Sequence, residues 1–290
     1  MNCLIFLNTI RARKMTTSLN DIKLVVCDID GTLTRTGTIT PSEYTLDIIK
    51  KLHDRGIAFG LGSGRDAGQL RHLYEEWGLP FEFDVCIGLN GSEYFDLERN
   101  EVRKLFTLPK KDVEEIVTKM LDRFPELNVS IYRNGYRLLR FEDEMAVMSK
   151  KRNKMSNQIV EDISDMWAED CPKVMFRVSE EVMRQIEPYA ISICNENFRC
   201  CKTQTTMLEF VNRRSDKGNA LLAYCDDHDI ELHNVVAFGD MSNDNEMLLM
   251  AGTGVCLKNG SADCKACADY ITEYDNDEDG CARFIEQYIL

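Results

Sequence analysis

At both ends of the chain, short apolar runs rich in β-branched residues alternate with segments whose apolar positions recur three or four residues apart. This alternation restricts the fold more than any other feature. KLVVC (23–27), IAFGLG (57–62) and DVCIGL (84–89) read as strands. Pro41 opens SEYTLDIIKKLHDRG, in which Leu46, Ile49 and Leu52 share a helical face and Gly56 ends the pattern. DAGQLRHLYEEWG (66–78) is a second helical segment. Beyond residue 207 the order resumes: a helix in KGNALLAYCDDHD, a strand in NVVAFGD, a helix in NDNEMLLMAG and a strand in GVCL. A helix, a short strand and a final helix from about 278 complete it. Such alternation joins parallel strands by helical crossovers and covers both sheet faces. It predicts an α/β fold with a Rossmann-like, mainly parallel sheet.

Between these halves the pattern changes. NVSIYRNGYRLLRF (128–141) has period two on either side of Asn134-Gly135, a hairpin signal. PKVMFRV (172–178) is another strand, and polar helical segments run near 109–123 and 179–190. This predicts an α+β insert, residues 92–206, inside a core made of 21–91 and 207–290. A chain of 290 residues has room for one large domain or two ordinary ones. Residues 1–20 are expected to be an unstructured leader. Their apolar stretch precedes three basic residues, the reverse of a secretory signal, and is too short to span a membrane. Met15 offers a second start, so translation from Met1 or Met15 stays open.

Composition narrows the function classes. With 44% hydrophobic residues the chain can bury a core. Lys and Arg number 35 against 49 Asp and Glu, giving a formal charge of −14. That balance offers no basic stripe for nucleic acid, so neither nucleic acid nor membrane is expected as a partner. Several of the twelve cysteines sit inside apolar runs, as Cys27 and Cys256 do. They read as buried reduced thiols, which points to the cytoplasm. Cys264 and Cys267 form a lone C-x-x-C on what reads as a surface helix, with no second pair at zinc spacing. YDNDEDG (274–280) reads as a solvated turn, and His53, His72, His228 and His233 suggest no triad or metal site. GLGSGR (60–65) mimics a dinucleotide fingerprint, but Arg65 stands where close helix–strand packing needs Gly or Ala.

Four segments carry the chemistry, each where a strand ends or a helix begins: DIDGTLT (28–34), SGRD (63–66), SDKGNAL (215–221) and DMSNDNEM (240–247). In an open parallel sheet the carboxyl ends of the strands form the ligand crevice, so segments far apart in sequence can meet there. Together they resemble the haloacid dehalogenase-like superfamily of aspartate-nucleophile phosphatases, and within it the Cof-type branch with a large inserted cap. The resemblance covers residues 22 to 290 and is weakest in the cap.

The resemblance implies a magnesium-dependent phosphatase that hydrolyses a small phosphorylated metabolite, a sugar phosphate or similar, through an aspartyl-phosphate. Asp28 is implied as the nucleophile and Asp30 as general acid and base. Asp30 is expected on the same side as Asp28, because strand side chains repeat every two residues. The implied ligands of Mg²⁺ are Asp28, the Asp30 carbonyl and Asp240, with Asp244 in support; a hard cation suits oxygen donors. Lys217 and Ser63 complete the implied catalytic set. Ile29, Ser63, Gly64, Arg65, Lys217 and Asn243 are implied on the phosphate, Ser63 and Gly64 at a helix N-terminus. Asn90 and Gly91 fall at the first crossing to the cap and are candidates for substrate contact, as are Ser92, Arg133, Asn134 and Glu209. Two other readings stay open. A phosphosugar mutase shares the chemistry, but its third and fourth motifs differ from SDKG and GDMSND. A non-catalytic metabolite-binding module would have lost an acidic residue, and this chain has lost none.

Overall fold

The computed structural model describes residues 19, 21–133, 136–144, 146–147 and 156–290, Thr203 by its main chain alone. Apart from Leu19, the expected leader lies outside the described residues, as does the Asn134-Gly135 turn. The chain forms two compact units, 1–105 with 216–290, and 106–215.

The first unit opens with β1 (Leu24–Asp28), β2 (Ala58–Gly62), β3 (Val85–Gly88), β4 (Glu93–Asp96) and β5 (Glu101–Lys104). The second holds β6 (Val129–Arg133), β7 (Tyr136–Leu139), β8 (Ser156–Ile159), β9 (Lys173–Arg177), β10 (Phe198–Gln204) and β11 (Met207–Asn212). The chain then returns to the first unit with β12 (Val235–Gly239), β13 (Thr253–Cys256) and β14 (Tyr270–Ile271). The core sheet runs β14-β13-β12-β1-β2-β3-β4-β5, parallel from β14 to β3 and antiparallel beyond.

Every residue of β1 and of β12 is buried, as expected of central strands covered on both faces. Val25 and Cys27 pack with the helices Glu43–Asp54 and Gly280–Tyr288, through Ile48, Ile49, Leu52, Cys281 and Phe284. Leu24 and Val26 pack on the other face with Lys217–Asp227 and Asn245–Met250, through Leu221, Tyr224, Met247 and Leu248. Strand alternation therefore sends Asp28 to the face of the Lys217 helix and Cys27 away from it.

Three expectations change here. The hairpin β4–β5 pairs onto β3, so the core extends to Leu105 rather than ending at residue 91. β5 is exposed throughout, and three of its four residues (EVRK) are charged, a blunted edge whose polarity hides it from a search for apolar runs. β11 pairs with β9 and β10, so residue 207 lies inside the insert, whose compact unit ends at Ser215. The helix read over 66–78 is instead two four-residue helices, Ala67–Leu70 and Leu73–Glu76, parted at Arg71 and His72.

The second unit is a six-stranded sheet of order β10-β11-β9-β6-β7-β8, antiparallel except for β7 with β8. Helices Lys110–Arg123 and Glu180–Ile193 bury Val113, Ile116, Met120, Met183 and Ile186 against Ile131, Val174, Phe176 and Phe210. Alternate residues face the other way: Ser130, Lys173, Met175 and Glu209, of which Lys173 and Glu209 form a buried ion pair at 2.8 Å.

Candidate active site

At the carboxyl end of β1, Asp28 meets Lys217, the first residue of its helix. Lys217 Nζ lies 2.6 Å from Asp28 Oδ1 and 2.5 Å from Asp244 Oδ1, and its side chain is fully buried. Asp216 starts that helix by accepting from Asn219 N, which sets Lys217 at the helix entrance. Asp240 follows β12 directly, and its Oδ1 accepts from Thr32 Oγ1 at 2.8 Å. Asp244 Oδ2 accepts the main-chain N–H groups of Asp240 and Met241 at 3.0 and 3.1 Å. Both Asp244 oxygens are thus engaged in holding Lys217 and the loop. Among the described residues the second oxygens of Asp28 and Asp240 accept no hydrogen bond.

Carboxylate oxygens of Asp28, Asp240 and Asp244 lie within 4.8 Å of one another. Burial pushes Asp28 up to about 7, against the pull of Lys217, with Asp244 and Asp240 adding repulsion. Burial pushes Asp240 up to about 6, opposed by the Thr32 hydroxyl. Burial alone would lower Lys217, but Asp244 and Asp28 outweigh it and raise it. Three buried carboxylates facing one ammonium carry an excess of two negative charges. An oxygen-only donor set with that excess fits a hard divalent cation. Lys217→Met should cost about 3–5 kcal/mol at pH 8, since it strands buried carboxylates without their counter-charge. Urea denaturation in chelator measures it.

The remaining expected residues divide. Asp30 does not share the environment of Asp28. β1 ends at Asp28, so strand alternation no longer governs the turn, and the Asp30 side chain is exposed. Both its oxygens accept from Arg65 Nη2 at 2.9 Å. Arg65 is therefore engaged by a carboxylate. Ser63 is buried, but Asp66 is the residue that caps the helix, so Ser63 lies in the loop before it. Ser63 Oγ accepts from Arg65 N at 3.3 Å. Gly64 stands against the Asn90 amide, which a Cβ there would approach to 3.3 Å. Asn90 N donates to Ser63 O at 2.9 Å, and Asn90 Oδ1 accepts from Asn243 Nδ2 at 3.2 Å. Ser63, Gly64, Asn90 and Asn243 thus form one group. Ile29 is fully buried and its carbonyl accepts from Leu33 and Thr34, so any contact with phosphate falls to its main chain.

Leu89, Asn90 and Gly91 all have positive φ (50°, 53° and 96°). A Cβ on Gly91 would lie 2.0 Å from the Asp216 carbonyl oxygen, beside the Lys217 N–H. Gly91→Ala should therefore destabilise the protein by more than about 2 kcal/mol, read as a lower urea midpoint.

Of the other cap candidates, Arg133 donates to the Met166 and Asp170 carbonyls and Glu209 is held by Lys173. Two plainer readings are corrected, those of the 274–280 turn and of Cys264, and His228 is located. The 274–280 turn is not simply solvated: Asn276 and Asp279 are buried, and Arg35 Nη2 lies 2.7 Å from Asp279 Oδ2. His228 is mostly buried between Asp96 (2.9 Å) and Glu98 (3.1 Å). Cys264 is buried rather than on a surface helix, because its short helix packs inward against Cys256. The described cysteines are free thiols. Sequence reasoning assigned no role to Thr32, Asn259 or Asn276. Thr32 lies within the D-x-D-G-T run, which could have signalled it; the two asparagines carry no local signal.

The parallel sheet places a buried Asp–Lys–Asp cluster at the carboxyl ends of β1 and β12, a candidate active site of an α/β hydrolase. Residues 25–285 match the family model described as haloacid dehalogenase-like hydrolase, and the chain belongs to that family. A Bacillus subtilis protein, 5-amino-6-(5-phospho-D-ribitylamino)uracil phosphatase YitU, is 27% identical over 267 residues, 91% of this chain and 97% of that one. The chloroplastic endoribonuclease YBEY of Arabidopsis thaliana is 34% identical over 275 residues; these are 91% of this chain and 46% of that protein. A haloacid dehalogenase-like hydrolase from Bacteroides thetaiotaomicron has a similar structure, with a TM-score of 0.75 at 26% identity, covering 92% of this chain and 99% of that one. The chain is a phosphatase of this family. Among the described residues, no helix is long and apolar enough to cross a membrane.

Proposed function

We propose that the protein is a magnesium-dependent phosphatase of small phosphomonoesters, a sugar phosphate or similar, working through an aspartyl-phosphate on Asp28. The observation that carries the reading is Lys217 held between Asp28 and Asp244, with Asp240 beside them. Asp28, placed by a buried strand, forms the bond to phosphorus as the bond to the leaving oxygen breaks. Asp30 gives that oxygen its proton. As a carboxylate, Asp30 then takes a proton from water, whose oxygen attacks phosphorus; inorganic phosphate leaves and Asp28 is restored. Lys217, Ser63, the Gly64 N–H and Asn243 face the phosphoryl oxygens, and Arg65 releases Asp30 for proton transfer. Magnesium, held by Asp28, Asp240 and the Asp30 carbonyl with Asp244 behind, would supply the positive charge that lets two anions approach. Residues 106–215 act as the specificity cap.

The substrate class draws support from the Bacillus relative, whose named substrate is a phosphorylated ribityl compound. A charge of −14 opposes a nucleic-acid substrate, so the chloroplast relative's ribonuclease name is not carried over. A phosphate-release screen over several dozen phosphometabolites with magnesium tests the reading. Saturable release from a small phosphomonoester is expected. Release from none of them, or transfer of phosphate between positions of a sugar that requires a bisphosphate activator, overturns it.

A further inference from the structure

We propose that Asn259 and Asn276 are positioning residues that clamp the turn carrying Asp30; the inference rests on the phosphatase reading above. Beyond β1 the chain curls onto one carbonyl: Ile29 O accepts from Leu33 N (3.0 Å), Thr34 N (2.9 Å) and Thr34 Oγ1 (3.0 Å). Two other carbonyls of this turn point outward and are taken by side-chain amides. Asn259 Nδ2 donates to Gly31 O at 2.9 Å, and Asn276 Nδ2 donates to Thr34 O at 3.0 Å. The two residues are themselves joined, since the main-chain N–H of Asn276 donates to Asn259 Oδ1 at 3.0 Å. Asn259 and Asn276 together therefore span the turn from Gly31 to Thr34, behind Asp30.

The acidic turn supports these two residues. Asp277 Oδ1 accepts from Thr36 N at 2.7 Å, and Asp279 accepts from Arg35 and Thr45 at 2.7 and 3.3 Å. The acidic turn thus grips the segment after Thr34, and Asn276 is its buried member. On the other side the turn meets the carboxylate cluster. Gly31 has φ +90°, and a Cβ there would lie 2.6 Å from Asp240 Oδ2. A turn with backbone contacts this close cannot drift without moving Asp30. The Asp30 side chain is exposed and held at its carboxylate by Arg65, which must release it for proton transfer; the clamp then supplies the placement of its main chain.

Kinetics of the wild type, Asn259→Ala, Asn276→Ala and the double variant test this, with magnesium present and two esters as probes. β-Glycerophosphate needs its leaving oxygen protonated; p-nitrophenyl phosphate needs little proton transfer. A misplaced acid should lower kcat for β-glycerophosphate about 10–100-fold, with KM nearly unchanged and a much smaller loss on the nitrophenyl ester. Because both amides fix the same turn, the double variant should be no slower than the slower single variant. Equal losses on both esters, losses that multiply in the double variant, or an unaffected Asn259→Ala overturn the clamp. Asn259 is exposed, so its truncation leaves no cavity. Should Asn276→Ala lower the melting temperature, Asn259→Ala decides the matter alone. An active wild type beside an unaffected Asn259→Ala overturns the clamp only. A wild type inactive on both esters overturns the phosphatase reading and the clamp with it.

Discussion

Asp28→Asn is expected to abolish turnover, by more than about 10⁴-fold in kcat, because a neutral amide cannot attack phosphorus and neither chemical step begins. The side chain keeps its size, and the amide removes a buried carboxylate that burial already pushes up to about 7. The variant should therefore fold, and in chelator at pH 8 it should melt no lower than the wild type. Acid-quenched mass spectrometry supplies the positive control: phosphate should appear on an Asp28 peptide of the wild type and be absent from the variant. Asp30→Asn should behave differently. It retains the main-chain carbonyl and loses only proton transfer, so kcat should fall about 10²–10⁴-fold and the phosphoenzyme should accumulate with p-nitrophenyl phosphate. Phosphate on any residue other than Asp28 would show that the nucleophile is misassigned.

Removal of metal should have the second largest effect. EDTA is expected to silence the enzyme and magnesium to restore it, and Asp240→Asn should weaken the magnesium requirement curve at least about tenfold. The physical reason is the charge excess at Asp28, Asp240 and Asp244, which Lys217 only partly offsets. That excess also predicts the pH dependence of stability. In chelator, Asp28 and Asp240 bind protons more tightly when folded than their usual value of 3.8, at about 7 and about 6. Their contribution is then fully present below 3.8 and is lost as pH rises through 6 and 7. Magnesium competes with those protons, so the rise in melting temperature that it produces should grow from pH 5 to 8. Differential scanning fluorimetry across that range tests it; a magnesium effect independent of pH, or full activity in EDTA, contradicts the cluster's role.

Much of the candidate site is legible in the sequence. Asp28, Lys217, Asp240 and Asp244 stand in short motifs at strand ends and helix starts, and a parallel sheet brings such positions together whatever fills the rest of the chain. The α/β alternation was equally plain, because apolar periodicity is a local property of residues that a buried strand or an amphipathic helix must place inside. The β4–β5 hairpin escaped because an exposed edge strand has no apolar run to show. Asp30 escaped for another reason: the two-residue repeat that links it to Asp28 holds only while the backbone is extended, and β1 stops at Asp28. The pairing of Asp30 with Arg65 and the joining of Asn259 to Gly31 depend on contacts across 35 and 228 residues. Polar side chains of this kind follow no period, and which carbonyl or carboxylate an amide or guanidinium meets is decided only once the packed strands have set the positions of the loops.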